Sequence, residues 1–104
     1  MIRRFQEHEI EAAIRYAVSG GQALHLHTCI PDPDRAPRCF VDAVNRGEFI
    51  AHLYDQNAVR LEMTASLLGV RVILIEKRGT IHQHVDLCGG PLRKAITKSK
   101  GEFE

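Results

Sequence analysis

Residues 23–29 read Ala-Leu-His-Leu-His-Thr-Cys, and their alternation decides how the rest of the chain is read. Leu24, Leu26 and, just beyond, Ile30 fall on one side of an extended chain, while His25, His27 and Cys29 fall on the other. Successive side chains of a strand point to opposite faces, so the pattern predicts a strand over 23–30 with one apolar face. The rhythm returns in residues 81–88, Ile-His-Gln-His-Val-Asp-Leu-Cys, where His82, His84, Asp86 and Cys88 are in phase. Two such runs in one small domain raise the prospect of a site built from two strands.

Working outward, residues 7–18 predict a helix, with Ile10, Ala13, Ile14 and Ala17 as its apolar stripe. Ser19-Gly20-Gly21 stops it. Three prolines within residues 31–37 make a loop. Residues 38–44, Arg-Cys-Phe-Val-Asp-Ala-Val, are apolar enough to predict another strand, and residues 45–49 a break. Asp55 or Asn57 caps a helix reaching Leu68, with Gly69 to end it. Val70 to Ile75 is β-branched and apolar on both faces, which predicts a central strand. A turn through Gly79 would return the chain along residues 80–87, giving a C-terminal β-hairpin. Gly89-Gly90-Pro91 opens a last helix, and residues 97–104 read as a frayed tail. The expectation is an α/β (α+β) fold over 1–104 as a single domain. It has a small mixed sheet of about four strands and three helices, packed on one side or around an edge.

Composition excludes more than it assigns. The chain has 104 residues, net charge +1, no Trp and 6% aromatics. No global field attracts nucleic acid, and no multi-base stacking surface is implied, so nucleic acid is not an expected partner. No apolar run spans a membrane. The charged N-terminus does not resemble a secretory leader, and three cysteines is an odd number, so a cytoplasmic protein with free thiols is expected. Arg93, Lys94, Lys98 and Lys100 read as a solvated helix end.

Imidazoles at i and i+2 of a strand share a face, roughly 6.6 Å apart at the backbone, and can converge on one ion. His25, His27, His82 and His84, with Asp86 or Cys88 assisting, therefore form a candidate donor set for a divalent metal. Zinc fits this set best, with Fe²⁺, Ni²⁺ or Co²⁺ as alternatives. The set holds too many donors for one ion, so some must orient others or be surface. His52 and Asp55 precede the helix at Asn57; they are a candidate general base or orienting pair, and helix capping is the plainer role for Asp55. Cys88, before the Gly-Gly turn, is a candidate nucleophile with His84 or His82 as base. Cys39 reads as core.

Val41-Asp42, His52-Leu53 with Asp55, Leu61 with Ala65, Leu68 and Gly69, and His84-Val85-Asp86-Leu87 carry a resemblance. Residues 40–95 resemble a family of short uncharacterised bacterial and phage proteins with V-D, H-L-x-x-D, L-x-x-x-A-x-x-L-G and H-x-D-L motifs. The first helix and residues 23–29 fall outside it. The resemblance implies no reaction, but it implies that Asp42, His52, Asp55, His84 and Asp86 belong to one polar site.

The function expected is a small metal-binding protein, with metal-dependent hydrolysis as the most economical chemistry. The alternatives are a non-catalytic interaction module, phage or mobile-element associated, that docks a protein partner or pairs as a homodimer, and a Cys88-dependent thiol enzyme. The substrate stays unassigned.

Overall fold

The computed structural model describes residues 2–30 and 34–100. Four strands carry the sheet: β1 (Ile2–Phe5), β2 (Gln22–His27), β3 (Ile50–Tyr54) and β4 (His84–Leu87). A two-residue β5 (Ser99–Lys100) extends one edge. Among the described residues four α-helices accompany them: α1 (Ile10–Val18), α2 (Arg38–Asn45), α3 (Ala58–Leu68) and α4 (Gly89–Lys98). The strand order is β4-β3-β2-β1-β5. β1 is parallel to β2 and β5, whereas β2–β3 and β3–β4 are antiparallel, so the sheet is mixed as expected.

Both faces of the sheet are covered, rather than one. Leu24, Leu53, Val85 and Leu87 meet Leu61 and Leu68 of α3 and Leu92 and Ala95 of α4. Leu24, Leu53, Leu61, Leu68 and Leu87 have no exposed surface. At about 2 kcal/mol for each fully buried leucine, this face holds most of the apolar stabilisation. The opposite face is divided. α1 covers one end through Ala13 and Ala17, packed on Phe5, Ala23 and Tyr54. α2 covers the other through Phe40 and Ala43, packed on Ile50 and Cys88.

Several elements depart from the sequence-based expectation. Residues 38–45 form a helix and not a strand, because Pro37 starts it and Phe40, Ala43 and Val44 share one helical face. Residues 50–54, which the sequence left unassigned, are the strand flanked on both sides by β2 and β4. Val70–Ile75 is not a central strand: residues 72–74 make a 3-10 turn, and Ile73 is 81% exposed. The Val70 amide donates to the Ala65 carbonyl as part of the cap that Gly69, at φ 86°, closes on α3, which turns the chain away from the sheet. Of the expected hairpin only the Glu76–His84 bridge forms, and β4 pairs with β3 instead. Residues 97–100 complete α4 and β5; residues 101–104 lie outside the described residues.

The pairing of thiols also differs. Cys39, in the first turn of α2, is bonded to Cys88 across 49 residues of chain, and Cys29 alone is free and exposed. Cys39 itself is an exposed residue and not core. No described helix is long and apolar enough to cross a membrane.

Candidate metal centre

The antiparallel register stacks side chains of the divided face in cross-strand rows. Ala23 stands opposite Tyr54 and Tyr54 opposite His84; His25 stands opposite His52 and His52 opposite Asp86; His27 stands opposite Ile50. The two histidine-bearing strands foreseen in the sequence are therefore not neighbours. β3 runs between them, and His52 links their polar rows. The rings follow one another edge to face, with centroids 4.2 Å apart for His25–His27, 4.8 Å for His27–His52 and 4.6 Å for His52–His84.

Hydrogen bonds fix the proton positions at each end of this line. The Nε2–H of His25 donates to the Glu7 carbonyl at 2.9 Å, since a carbonyl only accepts. Its Nδ1 then accepts from Nε2–H of His27 at 2.8 Å. Burial disfavours the charged form of both rings; His52 adds to the effect on each and His25 adds to it on His27, which is lowered to about 4. Both are neutral near pH 7.

At the other end, Asp86 gathers two imidazoles. Nδ1–H of His52 donates to Asp86 Oδ1 at 2.6 Å, and Nε2 of His84 lies 3.2 Å from the same oxygen. Nε2 of His84 is also 3.2 Å from Glu76 Oε2, and its Nδ1–H donates to the His82 carbonyl at 2.6 Å. Burial alone would lower the His84 pKa, but the hydrogen bonds to Asp86 and His82 and the carboxylate charges outweigh it, and the value is raised. Burial would raise the Asp86 pKa; the bonds from His52 and His84 overcome this and hold it far below the usual carboxylate range.

The donor atoms of His52, His84 and Asp86 lie within 4.8 Å of one another. Donors at roughly 2.0–2.1 Å from a tetrahedral ion are about 3.3 Å apart. The separations of 2.6 and 3.2 Å both fall short of that figure, so the side chains would have to draw slightly apart to admit an ion. Glu76 is on hand as a fourth donor, through a carboxylate oxygen. An open cleft of about 510 Å³ adjoins the cluster, with His27, His52, Asp86, Phe40, Glu76 and Lys77 in its lining.

The expected site residues thus divide. His25, His27, His84 and Asp86 share the predicted face, and His52 joins them as an inner member of the row. His82 is exposed in the turn before β4 and contributes its carbonyl to His84. Asp55 does not join the row. It is fully buried and accepts from both Nε and Nη2 of Arg60 at 2.8 and 2.7 Å, from the Gln22 amide and from the Asn57 backbone. Asn57 is the N-cap of α3. Cys88 is bonded to Cys39 and holds no thiol for nucleophilic attack. Asp42 is exposed on α2 and lies 3.8 Å from Arg38. Sequence reasoning does not single out Glu76, which directly follows the apolar run Val70–Ile75 and opens a turn.

Cys29 donates to Glu7 Oε2 at 3.3 Å, and this bond raises its pKa, so the thiol is not activated. No family model, no curated protein and no solved structure matches the chain.

Proposed function

We propose that this protein binds a divalent transition metal, zinc by preference, through His52, His84 and Asp86, with Glu76 able to complete the shell. The observation that carries this reading is the convergence of two imidazoles and one carboxylate, from two adjacent strands, beside an open cleft. Nitrogen and oxygen donors in this number suit zinc. A bound ion would supply a Lewis acid and lower the pKa of a water in its open position. Hydrolysis of an ester, amide or phosphoester is the reaction class this arrangement supports. The protein's own contribution would be His82, whose carbonyl fixes the His84 tautomer so that Nε2 faces the cluster. His25, buried, and His27, half-buried, are both neutral and would wall the site without charge. Protein purified without a polyhistidine tag, stripped and reconstituted with Zn²⁺, should retain about one equivalent after gel filtration. Retention below about a tenth of an equivalent would rule the reading out.

A second reading, docking to a protein partner or a second copy, is favoured by one observation. Val59, Met63 and Leu67 line the outer face of α3 at 63–70% exposure, and Ile73 in the segment after it is 81% exposed. Sedimentation across a concentration series tests self-association; a monomer throughout removes the homodimer.

A further inference from the structure

The helix that covers the His/Asp row is tied down at one covalent bond. Cys39 occupies the exposed first turn of α2, and Cys88, 9% exposed, follows β4 in phase with His84 and Asp86 and is the N-cap residue of α4. Phe40, beside Cys39, is the α2 residue that packs on the His52 ring, with centroids 5.9 Å apart. Apart from the disulfide, α2 holds to the sheet through the buried Phe40 and Ala43 and the partly buried Val44. A helix of eight residues does not sustain itself in water, so its position depends on these few ties. The disulfide also lines a cleft of about 340 Å³ whose wall includes Asp86 and Glu76.

We propose that Cys39–Cys88 is a thiol–disulfide exchange site for a dithiol reductant, and that opening it releases α2 from the His52/His84/Asp86 centre. The reductant's thiolate attacks Cys39 Sγ, which belongs to the exposed residue. The S–S bond breaks, and Cys88 leaves as a thiolate favoured by the N-terminus of α4. The reductant's second thiol displaces Cys39 from the mixed disulfide and closes as a cyclic disulfide. Two electrons pass to the protein, and both cysteine sulfurs take up protons. Freed of its tie, α2 lifts Phe40 from His52 and opens the centre to solvent. The exchange and the helix release need no metal; only the consequence for a bound ion rests on the metal-binding reading.

The experiment uses the full chain, oxidised, with Cys29 first capped by iodoacetamide. Dithiothreitol is then titrated under native conditions. Three quantities are read: new thiols by alkylation mass, backbone hydrogen exchange in residues 38–45 and 58–68, and Co²⁺ release to a chelator. Two thiols should appear while α3 stays protected, and α2 amides should exchange at least about tenfold faster. Co²⁺ release should accelerate by about fivefold or more. The Cys39→Ser variant should show the fast α2 exchange without reductant. Reduction that occurs only when α3 also loses protection overturns the proposal, as does unchanged α2 exchange after reduction. Fast α2 exchange in a protein that never binds Co²⁺ would sustain the exchange site and defeat the metal reading. Co²⁺ binding with unaltered α2 exchange would do the reverse.

Discussion

His52 Nδ1 lies 2.6 Å from Asp86 Oδ1, across a β3–β4 register that sets the two residues directly opposite each other. The bond joins the middle of the sheet to the strand beside it and gives the polar row its hinge. It also makes His52 the residue on which any site at this row depends.

Metal affinity should therefore follow the row and not the sequence run. His52→Ala and Asp86→Asn should each weaken Zn²⁺ or Co²⁺ binding by about a hundredfold or more, as loss of one of few ligands does. His82→Ala keeps the backbone carbonyl that His84 uses, so its affinity should stay within about threefold. Calorimetric titration of the three variants decides; a His82→Ala loss equal to that of His52→Ala would contradict the assignment.

Asp55 should prove structural. Its carboxylate is fully buried and held by Arg60, Gln22 and the Asn57 amide. Arg60→Ala would leave a buried charge without its cation, at a cost of about 3 kcal/mol. In a domain of this size that lowers Tm by more than about 10 °C. Scanning calorimetry showing a shift of a few degrees would mean that water replaces the guanidinium.

Stability should fall in acid through a defined window. His27 titrates at about 4 in the folded chain and near its ordinary value of 6.5 when unfolded. Between these values the unfolded state binds the extra proton, so stability declines as pH drops from 6.5 to 4 and is flat for this group above 6.5. After allowance for its partial exposure, the loss is about 1–2 kcal/mol. His25, also lowered by burial, adds to it in the same direction. His84 has the opposite sign: its raised pKa favours folding below its unfolded value and contributes no slope there. Urea unfolding at several pH values should show the decline, and His27→Gln should flatten it. An undiminished slope in that variant would place the proton uptake elsewhere.

Gly21 should tolerate no side chain. A Cβ there would lie 2.3 Å from the Tyr16 ring, which is itself packed on Phe5. Gly21→Ala should cost about 1–3 kcal/mol through overpacking, measured by chemical denaturation. A neutral result would show that the Tyr16 ring swings clear.

Local chemistry made much of this legible. The stripe on α1, the cap and stop of α3 and the alternation of β2 all follow from neighbours within a few residues. The errors came where the local signal was ambiguous or the deciding partner was distant. Val70–Ile75 has strand composition, but the cap after Gly69 diverts it, and the inner place it would have filled belongs to Ile50–Tyr54. Residues 38–44 carried helical spacing at Phe40, Ala43 and Val44, which their apolar content masked. His84 and Asp86 were visible as a run. That His52 bridges them to His25 depends on the register of three strands, which no stretch of sequence encodes alone. The Cys39–Cys88 bond is hidden for the same reason, its partners being 49 residues apart.

The strand order has a practical consequence for anyone labelling this protein. β1 and β5 pair in parallel at one edge, Ile2 beside Ser99, while β4 closes the other. Four strand spacings separate the edges, or about 19 Å. A fluorophore at either end of residues 2–100 therefore stands on the side of the sheet remote from Asp86. Quenching of that fluorophore by a coloured ion such as Co²⁺ would then measure a distance across the sheet, and one label at each end would give two readings of a single position.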